Sequence, residues 1–428
     1  MNLDEMDGVD IISLKKGRYV LISENRLNFL SGVEKDELDN VINEEVKTII
    51  KERDNKKEEF HIGPSISFMP TLDCNLRCVY CYAKGGDDKI YTDLSLAKLA
   101  IDNLVELRPN YSTEVLSIYF VGGGEPFLNF RCMEGVCEYA KKKFGNIEII
   151  LVSNGTFNDV EFEWLVENNV AIRISYDGVC HNKQRPFVSG SSSQKVVERN
   201  IRKLAQTNVP LTVQLTITNQ GVNTISDSVE QVASFGVEYI KIEPVHFSVL
   251  CRGEKGLMPE VEKYAENFIK AIQLIADKNL EIKVDNSIVS RPTSGYYCGT
   301  GEGTNLIITP SGKITSCLEI SRTGEIYSDV MMYGKCSRDG FGINKPKRKF
   351  LDKLHFSNYS KCKNCNLKLI CGGGCPMQSA WNNDDFFTPS DYNCQLHKLI
   401  LPRLFEMVFE NGKILDIIFD NHDIKYNC

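Results

Sequence analysis

The sequence predicts an α/β protein, a partial parallel barrel followed by a cysteine-rich domain. Between residues 65 and 285, short apolar runs alternate with longer amphipathic stretches, which is typical of strand–helix units around a parallel sheet. After residue 285, glycines and cysteines become dense and helical periodicity largely stops until residue 395. A chain of 428 residues also exceeds what one compact core usually holds. We therefore expect a partial (β/α)6 TIM-like barrel with a smaller region on each side.

The predicted barrel consists of alternating strands and helices. Strands are expected at 65–69, 117–121, 148–153, 171–176, 211–218 and 239–244, and helices at 93–107, 132–144, 159–167, 194–205, 226–235 and 259–278. In such barrels the catalytic side chains lie at the carboxyl ends of the strands. The residues that follow each strand are therefore the first candidates for a functional site.

Four regions are expected along the chain. They are a small N-terminal head at 1–60, the barrel at 61–285, the cysteine-rich domain at 286–400, and a C-terminal helix and tail at 401–428. Within the head, residues 18–22 resemble a strand and residues 34–51 have helical periodicity. The charge run at 51–59 is interpreted as a solvated helix end or linker, with a partner-binding surface as the alternative.

Composition and charge exclude several classes of protein. Hydrophobic residues make up 42% and the net charge is −7, which argues against a general nucleic-acid binder. The N-terminus lacks the basic start and apolar stretch of a secretory signal, and no apolar run reaches the ~18 residues of a membrane span. We expect a cytoplasmic protein with neither a nucleic acid nor a membrane as partner. In that reducing compartment, closely spaced cysteines are more often metal ligands than disulfides.

Three cysteines follow the first predicted strand with the spacing Cys-x3-Cys-x2-Cys. Cys74, Cys78 and Cys81 can hold three corners of a [4Fe–4S] cube and leave one iron without a protein ligand. An iron with an open position can bind a small molecule directly. The alternatives are a zinc site or packed thiols, but zinc usually takes four ligands and no fourth cysteine is near.

This spacing, with Tyr80 just before the third cysteine, resembles the motif of the radical S-adenosylmethionine (SAM) superfamily. The segments 121–126, 153–156 and 175–178, each at a strand end, are similar to the family's cofactor-binding motifs. The resemblance implies that SAM binds the open iron and is cleaved to methionine and a 5′-deoxyadenosyl radical. It assigns the SAM contacts to Tyr80, Gly123, Gly124, Glu125, Asn154, Ser175, Asp177 and Arg185.

Some of these assignments have plainer alternatives. A glycine run is often only a tight turn, although glycine also lets a backbone approach a ligand closely. Arg185 lies in a predicted loop, where an arginine is usually a surface charge. Gln214, on the fifth strand, is a candidate cavity residue without an assigned role.

The C-terminal region carries seven further cysteines whose spacing resembles the SPASM domain of peptide-modifying radical SAM enzymes. The resemblance implies two auxiliary [4Fe–4S] clusters, so that three clusters and SAM are the expected cofactors. It assigns Cys298, Cys317 and Cys375 to the first auxiliary cluster, and Cys362, Cys365, Cys371 and Cys394 to the second. A pair of zinc sites is the competing interpretation.

The first auxiliary cluster lacks a cysteine that some relatives have, because residues 299–316 contain none. We expect either an iron open to a substrate thiolate or a fourth ligand from Cys251, Cys336 or Cys428. The three cysteines Cys132, Cys137 and Cys180 are interpreted as packing residues.

The resemblance implies an enzyme with a precursor peptide or protein as substrate and a flavodoxin- or ferredoxin-type reductant as partner. Sulfatase-maturing relatives carry an aspartate next to the cysteine at the end of a hairpin, where this chain has Leu318. Glu319 is one residue further and is expected to point to the other side of a strand. Thioether formation in a ribosomally made peptide is therefore ranked first.

Other functions stay open at this point. Sulfatase maturation by formylglycine formation and other crosslinking or oxidation of peptides are alternatives of the same class. A non-catalytic iron–sulfur electron carrier is an alternative of another class. The head either contacts a leader peptide by β-augmentation or covers the barrel with a helix.

Overall fold

The fold is taken from a computed structural model, which describes residues 9–23, 26–32, 65–106, 115–248, 255–289 and 295–418. The expected head helix at 34–51 and the charge run at 51–59 lie outside these described residues, as do Cys251 and Cys428. No helix in the described ranges is long and apolar enough to cross a bilayer.

The central sheet begins with seven parallel strands in chain order. They are β4 (Ser65–Phe68), β5 (Leu116–Phe120), β6 (Ile147–Ser153), β7 (Ala171–Ser175), β8 (Leu211–Ile217), β9 (Tyr239–Pro244) and β10 (Lys283–Asp285). Each pairs in parallel with the next, so the predicted α/β fold with a central parallel sheet is confirmed. All six predicted strands are present, and β10 is an additional strand of three residues.

Helices cover the outer face of these strands. They are α1 (Leu94–Glu106), α2 (Phe130–Phe144), α3 (Asp159–Glu167), α4 (His181–Gln184), α5 (Gln194–Leu204), α6 (Ile225–Ala233) and α7 (Val261–Asp277). In α7, Tyr264, Phe268 and Ile272 recur at a spacing of four and are fully buried, as expected for one apolar face on a core. The side chains on the opposite faces of the strands line the inside of the barrel.

Four antiparallel strands of the C-terminal region extend the same sheet. They are β11 (Ile307–Ile308), β12 (Lys313–Thr315), β13 (Met332–Ser337) and β14 (Gly340–Ile343). Strands β11 and β12 form a hairpin, and its turn uses Gly312 at a φ of +76°, a conformation that favours glycine. Strand β11 also pairs in parallel with β4, which joins this region to the barrel.

The rest of the C-terminal region consists of helices, most of them short. They are α8 (Gly299–Glu302), α9 (Ser328–Met331), α10 (Lys345–Leu351), α11 (Lys368–Cys371), α12 (Pro376–Asn383), α13 (Asp391–Glu410) and α14 (Lys413–Ile418). Helix α13 is continuous across residue 400, the expected boundary between the last two regions. Both α13 and α14 pack on α7. The C-terminal helices therefore rest against the barrel.

A separate three-stranded sheet lies at the N-terminus. It comprises β1 (Val9–Ser13), β2 (Arg18–Ser23) and β3 (Arg26–Ser31), antiparallel in that order. The buried Asp10 of β1 accepts hydrogen bonds from Lys368 Nζ at 2.6 Å and from the backbone N–H of Leu369 at 3.0 Å. The head sheet is thus anchored on α11, the helix that ends at Cys371.

We predict that Asp10→Ala destabilises the C-terminal region, because it leaves the amide of Leu369 without its buried acceptor. A buried donor that loses its partner costs about 1–3 kcal/mol. The measurement is the urea unfolding midpoint under anaerobic conditions, together with the rate at which a chelator removes iron. Asp339→Ala, at an exposed position between β13 and β14, is the matched control. An Asp10→Ala protein as stable as the control would show that the head sheet does not support α11.

Candidate functional site

The three cysteines after β4 lie close together in a loop with little compensating charge. Burial, the Glu125 carboxylate, and the Cys78 and Cys81 thiols together raise the pKa of Cys74 to about 12. Burial also raises the pKa of Cys78 to about 11, although Arg185 opposes the rise. Iron would supply the missing positive charge and stabilise the thiolates. The residues present therefore fit the expected cluster.

Two predicted SAM-contact residues reach the sulfur atoms of these cysteines. Asn154 Nδ2 lies 3.9 Å from Cys74 Sγ, and Arg185 Nη1 lies 3.8 Å from Cys78 Sγ. N–H groups placed this way stabilise a thiolate and orient the ligand of a metal site. Asn154 also donates to Asn75 in the same loop, at 2.8 Å. Both side chains therefore support the cysteine loop, and their contact with SAM stays a prediction.

The glycines after β5 pack directly on the cysteine loop. The backbone N–H of Gly124 donates to the carbonyl of Thr71 at 2.8 Å. A Cβ atom at Gly124 would lie only 1.8 Å from the carbonyl oxygen of Asp73, and one at Gly123 would lie 2.6 Å from that of Thr71. No larger residue fits at Gly123 or Gly124, so these glycines hold the loop in place. The packing of these glycines neither requires nor prevents their predicted contact with SAM.

Glu125 directs its carboxylate to the end of β6. It accepts hydrogen bonds from Ser153 Oγ and from the backbone N–H of Asn154, each at 2.7 Å. Burial raises the pKa of Glu125 to about 7, despite these hydrogen bonds. The side chain thus joins the carboxyl ends of two neighbouring strands, while its predicted contact with SAM stays untested.

Asp177, after β7, is the centre of a buried polar network. Its Oδ2 accepts hydrogen bonds from Tyr80 Oη at 2.6 Å, Gln184 Nε2 at 2.7 Å and Arg185 Nε at 2.9 Å. Its Oδ1 accepts the backbone N–H of Thr216 at 3.0 Å. Burial is the largest influence and raises the pKa of Asp177, but the charge and hydrogen bond of Arg185, with His181 and the hydrogen bond from Tyr80, together outweigh it and the pKa is lowered.

Three residues that the sequence placed in one site therefore do lie together. The Arg185 guanidinium lies 5.2 Å from the centre of the Tyr80 ring, while it pairs with Asp177 and reaches Cys78. Arg185 is only 6% exposed, so its interpretation as a surface charge is wrong. Ser175 lies at the carboxyl end of β7, paired in register with Gln214 on β8.

Two features of the structure were not among the residues predicted from the sequence. Gln184 ends the four-residue helix α4, which is too short to give a periodic signal in the sequence, and only the fold brings it to Asp177. A charged group inside the barrel was missed as well: Lys241 Nζ lies 2.9 Å from Asp285 Oδ2 and 3.3 Å from Glu243 Oε1. Polar and apolar residues alternate along β9, and this pattern was the sequence signal for the charged group, because every second side chain of a barrel strand faces the inside of the barrel.

A cavity in the C-terminal region is lined by the four cysteines assigned to the second auxiliary cluster. Its volume is about 290 Å³, and Cys362, Cys365, Cys371 and Cys394 all line it. Three lysines, Lys361, Lys368 and Lys398, also border it. Lys361 pairs with Asp391, which also lines the cavity, and Lys368 pairs with Asp10, so it is the four thiols around one space that suit an iron–sulfur cluster.

The three cysteines assigned to the first auxiliary cluster, together with the carboxylate of Glu319, lie within range of each other's charge. Burial raises the pKa of Cys317, and Glu319, Cys375 and Cys298 each add to the rise. The expectation that Glu319 points away is wrong, because β12 ends at Thr315 and the following residues form a turn. In a turn, the strand rule of alternating sides does not apply.

Cys336 does not join this group of thiols. It lies on β13, where Asn103 Nδ2 of α1 donates to its sulfur at 3.4 Å. Cys132 and Cys137 are buried in the core, as expected for packing residues, while Cys180 is partly exposed. The described residues therefore provide three cysteines, not four, at the first auxiliary site.

Comparison with known proteins agrees with these features. Residues 68–235 match the family model described as the Radical SAM superfamily. The chain is 30% identical over 254 residues to an uncharacterized protein of Methanocaldococcus jannaschii, covering 58% of this chain and 82% of that protein. It is 22% identical over 362 residues to the cysteine-type anaerobic sulfatase-maturating enzyme of Clostridium perfringens, covering 78% and 93%.

Other similar proteins include a maturation enzyme and two solved structures. The sporulation killing factor maturation protein SkfB of Bacillus subtilis is 28% identical over 191 residues, covering 42% of this chain and 44% of that protein. Native anSMEcpe with bound AdoMet has a TM-score of 0.68 at 19% identity, covering 82% and 99%. Streptococcus suis SuiB bound to precursor peptide SuiA has a TM-score of 0.58 at 14% identity, covering 91% and 99%.

We predict that Asp177→Asn strongly destabilises the protein, because it leaves the buried guanidinium of Arg185 without its counter-charge. Breaking a buried pair from one side costs about 3–5 kcal/mol. Urea unfolding measures this loss, and adding Arg185→Met to Asp177→Asn should recover part of it. Asp159→Asn, which removes an exposed pair with Lys203, is the control and should change little. Similar midpoints for Asp177→Asn and the control would contradict the role of the pair.

His181 gives the protein a predicted dependence on pH. It is fully buried, its Nε2 lies 2.9 Å from Ser193 Oγ, and burial lowers its pKa from 6.5 to about 4. Because the folded protein holds this histidine neutral, its contribution to stability is complete above pH 6.5 and is lost as the pH falls toward 4. At pH 5 the loss is roughly 2 kcal/mol.

Unfolding midpoints at pH 7.5, 6.5 and 5 would test this dependence. His181→Gln keeps hydrogen-bonding groups but does not titrate, so it should lose less stability than wild type between pH 6.5 and 5. His355→Gln, at a partly exposed histidine, is the control. The prediction fails if His181→Gln and wild type lose stability in parallel.

Proposed function

Because the chain belongs to the radical SAM superfamily, we propose that it is a SPASM-type enzyme that modifies a ribosomally synthesised precursor peptide in the cytoplasm. Enzymes of this family use a [4Fe–4S] cluster and SAM. The observation that carries the proposal is a set of seven cysteines in the C-terminal region, in addition to the cysteine loop after β4. Four of them line one cavity, and the other three lie within range of the charge of Glu319. The relatives that share such an extension include maturases of peptides and proteins.

The proposed residue roles follow the geometry of the site. Cys74, Cys78 and Cys81 would hold the first cluster, with Tyr80, Asp177 and Arg185 fixing that loop from one side. When bound, the clusters and SAM supply a 5′-deoxyadenosyl radical that takes a hydrogen atom from the substrate, and an acceptor for the electron released when a bond forms. The protein's own residues bind and orient the groups, and they exclude water from the barrel.

We propose thioether formation as the specific reaction. Forming a carbon–sulfur bond from C–H and S–H removes one hydrogen atom, one proton and one electron, so an electron acceptor near the substrate sulfur is needed. The site at Cys298, Cys317 and Cys375 offers three cysteines, which leaves one iron available to a substrate sulfur. A flavodoxin- or ferredoxin-type protein is the proposed reductant.

Formylglycine formation is the second candidate. A carboxylate beside the hairpin cysteine supports it, since Glu319 lies near Cys317 although the adjacent residue is Leu318. The similarity to a sulfatase-maturating enzyme over 93% of its length also favours this candidate. The two reactions are distinguished by their products, since a thioether blocks the peptide cysteine to alkylation and formylglycine is an aldehyde that reacts with hydrazides.

The head is the proposed contact for a leader peptide. Strand β3 pairs only with β2 in the described part of the head sheet, so an extended peptide can add at that edge. The sheet is anchored on α11, close to the cysteines of the second auxiliary site.

Anaerobic reconstitution tests the proposed function. We expect about twelve irons per chain in wild type and about eight when Cys74, Cys78 and Cys81 are all changed to alanine. Only wild type should form 5′-deoxyadenosine from SAM under a strong reductant, and mass spectra of a co-expressed peptide should show loss of two hydrogen atoms per crosslink. Zinc in place of iron, or no 5′-deoxyadenosine from wild type, would overturn the proposal and leave an electron carrier or a zinc protein.

A further inference from the structure

Arg185 carries a positive charge to one thiol of the cysteine loop after β4. Its Nη1 lies 3.8 Å from Cys78 Sγ, and the side chain is only 6% exposed. Two neutral donors reach Cys74 Sγ instead, the backbone N–H of Leu76 at 3.5 Å and Asn154 Nδ2 at 3.9 Å. The sulfur atoms of the loop therefore meet donors of different charge, and a charged donor lies at Cys78.

The guanidinium of Arg185 is held in this place from three further directions. Its Nε donates to Asp177 Oδ2 at 2.9 Å, and its Nη2 donates to Thr216 Oγ1 at 3.4 Å. Its central carbon lies 5.2 Å from the centre of the Tyr80 ring. Asp177 follows β7, Thr216 belongs to β8, and Tyr80 lies inside the cysteine loop. Two strands and the loop itself thus set the distance between the charge and Cys78.

Asp177 does not cancel this charge at the sulfur. Arg185 contacts Cys78 Sγ directly, whereas Asp177 is joined to it through the guanidinium. Asp177 also accepts hydrogen bonds from Tyr80 Oη at 2.6 Å and Gln184 Nε2 at 2.7 Å, whose dipoles offset part of its negative charge. Because the Coulomb interaction falls with distance, the positive member of the pair has the larger effect at the thiol.

A cation in this position acts on the charge of an iron–sulfur cluster. Reduction adds one electron to the cluster, and the nearby charge and the hydrogen bonds to its sulfur atoms are among the factors that set its potential. Water and salt screen a buried cation only weakly, so its contact with a ligand sulfur stabilises the reduced, more negative cluster.

We propose that Arg185 raises the reduction potential of the cluster held by the cysteine loop after β4, and that Asp177 positions its guanidinium. The proposal rests on the first cluster of the proposed function. It does not involve SAM, so it is separate from the SAM contact predicted for Arg185. The electron comes from the proposed flavodoxin- or ferredoxin-type reductant, and a higher potential of the cluster favours its transfer.

The test is a redox titration of the full-length protein without SAM, followed by electron paramagnetic resonance and with iron content measured on each sample. The signal of this cluster is identified as the component that is lost when the three cysteines of the loop are changed to alanine. The auxiliary clusters in the same samples are internal controls.

Three variants are compared with wild type. In the double variant Arg185→Met/Asp177→Asn both members of the pair become neutral, so no unpaired charge stays buried. Arg185→Lys keeps the charge but not the planar fork of donors. Arg199→Met, at an exposed position on α5, is the matched control.

We expect the double variant to keep about twelve irons and to have a lower potential for this cluster alone. At a fixed applied potential, the ratio of reduced to oxidised cluster should fall about tenfold, which corresponds to about 59 mV for a one-electron couple. Arg185→Lys should shift the potential in the same direction by less. The auxiliary clusters and the Arg199→Met protein should keep the potentials of wild type.

Two results would overturn this role and leave the proposed function in place. One is a double variant with about twelve irons and an unchanged potential. The other is loss of about four irons from the double variant but not from the control, which would make the pair a support for the ligands and not a determinant of the potential. A wild-type protein in which no signal depends on the three cysteines of the loop would instead remove the cluster itself, and with it the proposed function.

Discussion

Strand β4 is hydrogen-bonded along both of its edges, to β5 inside the barrel and to β11 of the C-terminal region. The cysteine loop follows β4, and the turn with Cys317 follows the hairpin that begins at β11. One continuous sheet therefore fixes the position of the first auxiliary site relative to the radical SAM loop. Strand β11 runs parallel to β4, whereas β12, the strand before Cys317, runs antiparallel to both, so the two segments are joined through the sheet and not by a shared strand end.

Side chains reinforce this connection between the two sites. Arg322, which follows the hairpin turn, pairs with Asp88 and donates to the carbonyl of Ala83 at 3.1 Å, both in the segment after the cysteine loop. A Cβ atom at Gly122 would lie 3.1 Å from the side chain of Leu318, so the glycine segment lies close to the turn that follows Cys317. The cysteine loop after β4 and the turn after Cys317 have little regular structure, but contacts on several sides hold them in place. Cluster binding would stabilise them further.

The fold was largely predictable from sequence, and the failures have identifiable causes. Six strands were found because apolar runs of five to eight residues give a strong signal, whereas β10 has three residues and gives none. Tyr80, Asp177 and Arg185 were placed in one site by the resemblance of their segments to the motifs of the radical SAM superfamily. Their mutual hydrogen bonds were not predictable, since Asp177 and Tyr80 are 97 residues apart and only the finished barrel sets their distance.

Glu319 shows why a position-by-position comparison with relatives has a limit. If β12 continued through Cys317, the side chains of residues 318 and 319 would lie on opposite faces of the strand. Strand β12 ends at Thr315, so the turn that follows determines the direction of the side chains of residues 318 and 319. In this turn Leu318 contacts the glycine segment, while the acidic group beside the thiols is the next residue. The absence of an aspartate next to the hairpin cysteine therefore does not mean that the site lacks a carboxylate.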